Sequence, residues 1–215
     1  MLFVWINNNQ TLRARRFDAD GNALGAAVDV SDPDMMAIDE KYDLSMNASG
    51  EAVVAWGNWD EDLFAQRIDA LGNRAGALID FGTTTTRQPS VGMAADGSFV
   101  VSWTRNASPV RRIAAQRFDA DGQAVGSRID VEEVITDRNA QNSIVSVNPD
   151  GSFAVAWRYA LTSGGGYDYA AVRAFNADGT PISGEVVTPT PMRNSIPDIG
   201  VMSDGRGRLH FAYVN

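Results

Sequence analysis

At 215 residues, with 44% hydrophobic residues and no cysteine, the chain is long enough for one sizeable domain, and disulfide frameworks, thiolate metal sites and cysteine nucleophiles are excluded. A formal net charge of −9 and a pI near 4.5 argue against nucleic acid, which is bound by clustered Lys and Arg, and against anionic membrane surfaces. The opening MLFVWINNN has neither the basic start of a signal peptide nor the apolar length of a membrane span.

In chain order, the first element is a strand ending at Trp5, followed by the Asn-rich connection Ile6 to Thr11, RARRFDADG (Arg13 to Gly21) and a weaker strand leading to Asp29. From Leu44 the order repeats with one strand added in front. An apolar pair flanks a small residue (Leu44, Ser45, Met46), a turn ends at Gly50, a strand ends at Trp56, and FAQRIDALG (Phe64 to Gly72) precedes another weak strand. The third unit offers Val91, Gly92, Met93, then Gly97, Trp103, AAQRFDADG (Ala114 to Gly122) and SRIDV (Ser127 to Val131). The fourth offers Val145, Ser146, Val147, then Gly151, Trp157 and VRAFNADG (Val172 to Gly179). A last partial unit has Ile199, Gly200, Val201, then Gly205 and a strand with Tyr213 in the tryptophan position.

Trp5, Trp56, Trp103 and Trp157 follow one another at steps of 51, 47 and 54 residues, and Tyr213 follows at 56. This is a repeat with a period near 50, and its two-residue alternation is that of strands: Phe99, Val101 and Trp103 on one face, Val100 and Ser102 on the other. In the linking Ser-Gly and Asp-Gly corners, Asp bonds its own backbone and Gly accepts positive φ, as hairpin turns require. The predicted fold is all-β: a β-propeller-like array of four-stranded antiparallel blades in one domain, residues 1-215. Naming the strands of a unit A to D, the chain reads BCD, ABCD, ABCD, ABCD, AB, with repeats at about 1-41, 42-88, 89-141, 142-196 and a partial one at 197-215. Ser45, Gly92, Ser146 and Gly200 are expected where the A strands crowd a central axis. Four blades with a spare strand, five with one incomplete, or an arc of a longer propeller all fit, and a terminal A strand could complete the first blade. A β-sandwich or β-solenoid is the competing architecture.

The A–B and C–D corners are short and nearly identical, whereas the B–C connections vary from INNNQT through GNWDED and TRNASPVRR to RYALTSGGGYDY. Binding is expected on that variable face. Trp59, Asp60 and Asp62 suit stacking on a sugar face while accepting its hydroxyls. Tyr159, Tyr167 and Tyr169 flank Gly164 to Gly166 as a candidate aromatic lid. Arg105, Arg111, Arg112, Arg158 and Arg193 could receive a carboxylate such as that of an acidic sugar. The repeated tryptophans, at the end of an alternating apolar face, are expected to pack between blades rather than to line sugar sites.

No cofactor is expected. FDADG resembles the opening of a calcium loop, but Gly21 and Gly122 fall at position four where an EF-hand needs position six, so calcium is a minority reading. Arg16, Arg67 and Arg117 each precede by 13 an Asp (Asp29, Asp80, Asp130), which predicts ion pairs within each of the first three units or across blade boundaries. The single histidine, His210, leaves triads and His-rich zinc sites without parts. Paired carboxylates for glycoside hydrolysis remain available among Asp34, Asp39, Glu40, Asp60, Asp62 and Glu132.

Through DGSFVVSW followed by AAQRFDADGQAVG, the chain resembles tandem repeats of very large secreted or surface-attached bacterial proteins, often beside RTX-type calcium-binding regions. The resemblance spans nearly all 215 residues and implies an extracellular or cell-surface location within a larger protein, with no catalytic residue to transfer. The first functional expectation is therefore a non-catalytic binding or adhesion module presenting its loops to a glycan or protein partner, as a monomer or an edge-mediated homo-oligomer. A propeller-type glycoside hydrolase using two loop carboxylates, and a structural spacer, are the alternatives.

Overall fold

The computed structural model describes residues 1–32, 37–83, 87–133, 137–163, 167–188, 192–193, 199–204 and 208–213. Its strands form five antiparallel sheets in chain order. Sheet I contains β1 (Leu2–Ile6), β2 (Leu12–Phe17) and β3 (Ala23–Asp29). Sheet II contains β4 (Ala37–Met46), β5 (Ala52–Asn58), β6 (Asp62–Ile68) and β7 (Arg74–Thr83), and sheet III contains β8 (Arg87–Met93), β9 (Phe99–Ala107), β10 (Val110–Phe118) and β11 (Ala124–Asp130). Sheet IV contains β12 (Arg138–Val147), β13 (Phe153–Leu161), β14 (Tyr167–Phe175) and β15 (Val186–Val187), with β16 (Met192–Arg193) also paired to β14; sheet V contains β17 (Ile199–Ser203) and β18 (Leu209–Tyr213). This is the β-propeller-like array expected from the repeat.

The first strands β4, β8, β12 and β17 neighbour one another and define the axis. Side chains stitch them together: Val91 N–H donates to Asp43 Oδ2 at 2.9 Å, Met93 N–H to Ser45 Oγ at 3.0 Å and Val145 N–H to Ser90 Oγ at 3.2 Å. The expected crowding holds at Gly92, where a Cβ would lie 2.7 Å from Val147 Cγ2.

Each full-length B strand is buried on both faces because it is sandwiched between sheets. Phe99, Val101 and Trp103 pack with Val53, Leu63 and Ala65 of sheet II, while Val100 joins Val155 and Trp157 of sheet IV. Trp56, Trp103 and Trp157 are buried, so the blade-packing reading of the tryptophans stands for these three; truncating such a side chain costs about 3–5 kcal/mol. Trp5 is half-buried.

Two sequence expectations are corrected. β17 pairs with β18 and packs on sheet IV, so among the described residues sheet I is three-stranded and β17 does not complete it. The Arg–Asp pairs do not form among the described residues: Asp29 pairs with Arg13 at 2.7 Å, and Asp130 with Arg105 at 3.1 Å and Arg128 at 3.5 Å. The repeated arginine instead reaches over the next sheet's corners. Arg16 donates to Gly50 O and, at 2.9 Å, to Asp69 O, and Arg117 donates to Asp178 O at 2.5 Å. Gly72, Gly122 and Gly179 lie beneath the stems of Arg16, Arg67 and Arg117, where a Cβ would come within 3.1–3.2 Å of those stems. A backbone carbonyl of the next sheet's corner receives the guanidinium in place of a carboxylate, and the contact clamps neighbouring sheets together. The outer strands add a feature of their own: Gly25, Gly76 and Gly126 take positive φ of 69–87° beside register shifts against β2, β6 and β10, so β3, β7 and β11 each carry a bulge. Such bulges twist an exposed edge away from foreign strands.

Candidate functional site

The FDADG corners are closed by their own aspartates. Asp18 Oδ1 accepts from Asp20 N–H at 3.0 Å and Asn22 N–H at 2.8 Å, and its Oδ2 accepts from Asn22 Nδ2 at 3.0 Å. The Asn22 side chain first, then its backbone N–H, holds the Asp18 carboxyl below the ordinary aspartate range. Asp119 serves the N–H groups of Asp121 and Gln123 in the same way. These are turn-forming aspartates, and no group of three or more metal-ligating side chains occurs among the described residues.

On the variable face, the B–C connections of sheets I and II share one design. Asn7 Oδ1 accepts from Asn9 N–H at 2.9 Å and Thr11 N–H at 3.0 Å; Asn58 Oδ1 accepts from Asp62 N–H at 2.8 Å. Gln10 and Glu61 then take φ of 59° and 65° to return the chain. The tips so displayed are Asn8 and Asn9 in sheet I, and Trp59 and Asp60 in sheet II. Trp59 is 62% exposed, Asp60 is exposed, and the Asp62 carboxylate accepts from Asn58 Nδ2 at 3.3 Å.

The expected arginine cluster is already matched. Arg105 pairs with Asp130, and Arg112 with Glu132 at 3.2 Å; Arg111 donates from its backbone to Asn139 Oδ1 at 2.9 Å and from Nη1 to Gln141 Oε1 at 3.3 Å. Arg158 is half-buried with its Nε inside the protein. The side chain of Arg193 lies outside the described residues. The acidic-sugar reading of Arg105, Arg111 and Arg112 loses its basis, because carboxylates and amides of this chain already occupy them. Tyr159 is no lid: it is buried, stacks on Tyr169 at 5.3 Å between centroids and carries the Arg138 guanidinium 4.3 Å above its ring. Tyr167 lies on β14 opposite Arg193; its side chain lies outside the described residues. Asp34 and the side chains of Asp39 and Glu40 do so too. His210 is exposed, its Nε2 3.7 Å from Asp204 Oδ2.

The boundary between sheets III and IV gathers the remaining charge. The Glu132 side chain is only 2% exposed; its Oε1 accepts from Ile113 N–H at 2.6 Å and its Oε2 faces Arg112. Burial pushes this carboxyl above the ordinary glutamate value, against the opposing pull of the Ile113 N–H and Arg112, and the charge of Glu185 pushes the same way as burial. The Glu185 side chain is 3% exposed, pairs with Arg138 at 2.6 Å and accepts from Glu133 N–H. The scaffold does not need a carboxylate at the Glu132 position. In sheet I the matching N–H of Leu12 is received by Ser31 Oγ at 3.0 Å, and in sheet IV that of Ala170 by Thr188 Oγ1 at 3.2 Å. Glu132 is thus an acid where a hydroxyl suffices. Arg138 and Glu185 were not distinguishable in sequence; 47 residues separate them, and the only hint was the departure of the fourth unit from the repeat.

No protein-family model matches the sequence, and no curated protein does. Solved structures do share the fold. An endo-arabinase from Bacteroides thetaiotaomicron is 14% identical with a TM-score of 0.51, over 99% of this chain and 87% of that one. An α-L-arabinanase from Penicillium chrysogenum, complexed with arabinobiose, is 14% identical with a TM-score of 0.59, over 94% of this chain and 67% of that one. An ulvan lyase, representing a new polysaccharide lyase family, is 9% identical with a TM-score of 0.63, over 99% of this chain and 61% of that one. These likenesses establish the fold. The expectation of a non-catalytic binding or adhesion module is corrected here, because enzymes of glycan breakdown are among the structures that carry the fold.

Proposed function

We propose that the chain is a glycan-directed propeller of the glycoside hydrolase kind, with Glu132 as the proton donor to the glycosidic oxygen. The observation that carries this reading is the buried Glu132 carboxyl, which receives an N–H that sheets I and IV satisfy with a hydroxyl. A general acid must hold its proton near neutral pH, and burial raises the Glu132 carboxyl in that direction. Hydrolysis by two carboxyl groups needs a second, charged one, and Glu185, fixed by Arg138 and the Glu133 N–H, is the group at hand. Both lie beneath the surface, so the boundary between sheets III and IV has to open as substrate enters. The similar arabinan-degrading enzymes support a neutral polysaccharide as substrate, and a secreted or surface location fits such a polymer. The test is release of reducing ends from a panel of neutral polysaccharides by the wild type, E132Q and E132S. Ser stands naturally at the matching place in sheet I, so E132S is expected to fold. Both variants should lose at least 100-fold in kcat, and wild-type turnover in either would refute the assignment.

A further inference from the structure

We propose that the Thr104 hydroxyl and the Trp157 indole N–H receive the hydroxyl groups of a sugar unit in the boundary between sheets III and IV. This subsite rests on the glycan-directed reading above and supplies that boundary with its sugar-binding groups. Thr104 is 3% exposed and Trp157 is fully buried, yet neither Thr104 Oγ1 nor Trp157 Nε1 has a hydrogen-bond partner among the described residues. Both side chains belong to the same boundary. Trp157 packs in one cluster with Val100, Ile113 and Val131 of sheet III. Thr104 stands opposite Ile113 in the β9–β10 register, and cross-strand partners share a face, so its side chain is turned toward sheet IV as that of Ile113 is. The N–H of this same Ile113 donates to Glu132 Oε1 at 2.6 Å. Thr104 therefore lies across a single strand from the group that holds the proton donor.

The scaffold does not call for these hydroxyls. Counted from the repeated tryptophan, sheet II carries Ala55 and Gly57 where sheet III carries Ser102 and Thr104. Ser102 is matched across the boundary by Ser143, Oγ to Oγ at 3.1 Å; Thr104 is not. A buried hydroxyl or N–H left unpaired penalises the closed arrangement, because it has given up hydration for nothing in return. The boundary is also loosely filled at its corner end. Val147 stands where the two preceding units have Met46 and Met93, and a concavity of about 250 Å³ is lined by Val100, Val125 and Val147 among others. A sugar ring entering beside Glu132 offers what the closed boundary lacks. Its hydroxyl oxygen accepts from the indole N–H, which is a donor only, and a second hydroxyl both donates to and accepts from Thr104 Oγ1. Substrate thus pairs groups that the protein alone leaves unpaired, and this gain helps to hold the two sheets apart around it.

The experiment is calorimetric titration of arabinan, galactan and xylan oligomers into E132Q, which prevents turnover, and into E132Q combined with T104V, T104S or W157F, with a melting curve for each protein. At least one oligomer should bind E132Q. T104V should melt at or above the temperature of E132Q, since no hydrogen bond is broken, and should bind the oligomer about tenfold more weakly, as the loss of one hydrogen bond to the ligand requires. T104S keeps the hydroxyl and should keep the affinity. W157F, shown to be folded by its melting curve, should weaken binding by about the same factor; T104V and T104S keep the test informative if it does not fold. A lowered melting temperature with unchanged affinity in T104V, the result for a hydroxyl that serves only the closed protein, would overturn the proposal, as would failure of every oligomer to bind. Turnover that persists in E132Q, with binding still weakened by T104V, would sink the Glu132 assignment and leave this subsite standing. Loss of turnover in E132Q with full affinity in T104V would do the reverse.

Discussion

Replacing Gly122 by alanine tests the clamp between sheets II and III, and Gly21→Ala supplies the control. Both glycines end the same FDADG corner with φ of 84–85°, so an L side chain pays the same backbone cost, about 1–2 kcal/mol. Around Gly21 nothing lies within 4 Å of the added Cβ; at Gly122 it would meet Arg67 Cδ at 3.2 Å and Ile79 Cδ1 at 3.4 Å. Forcing these two sheet II side chains aside adds an overpacking cost of about 1–3 kcal/mol. Gly122→Ala is therefore expected to lower stability by roughly 2–5 kcal/mol and Gly21→Ala by only about 1–2. Urea titration reads the difference as a shift in midpoint at unchanged slope. Equal costs would mean that the arginine stem does not bear on the corner, and the clamp would be wrong as a source of cohesion between sheets.

Gly92→Ala probes the axis, where the new methyl would sit 2.7 Å from Val147 Cγ2; a loss of about 1–3 kcal/mol in thermal or chemical unfolding is expected. Glu132 should give stability a distinctive pH dependence. Its folded carboxyl titrates above the unfolded one, so the native state binds the extra proton and stability falls as pH rises through the window just above the ordinary glutamate value. E132Q, which still accepts the Ile113 N–H, should remove that fall. Urea midpoints of the two proteins at pH 4 and pH 7 measure it, and parallel behaviour would contradict the assignment.

The sequence by itself determined the repeat, its antiparallel strands and its corners. Period-two alternation and the Asp-Gly turns are local rules, satisfied wherever Phe99 to Trp103 or Asp119 to Gly122 fall in space. It also separated the faces, since the short corners and variable connections differ in length and composition. The partners of charged side chains were decided by tertiary structure. The 13-residue spacing of Arg16 and Asp29 suggested an ion pair, yet the long arginine arm reaches the part-buried corner carbonyls of Gly50 and Asp69 in the next sheet. Gly25, Gly76 and Gly126 carried a readable bulge signal in the sequence that the alternation argument passed over. The Glu132, Arg138 and Glu185 cluster could not be foreseen, because burial and the field of neighbouring charges are properties of two sheets packed together, and no stretch of chain holds them alone.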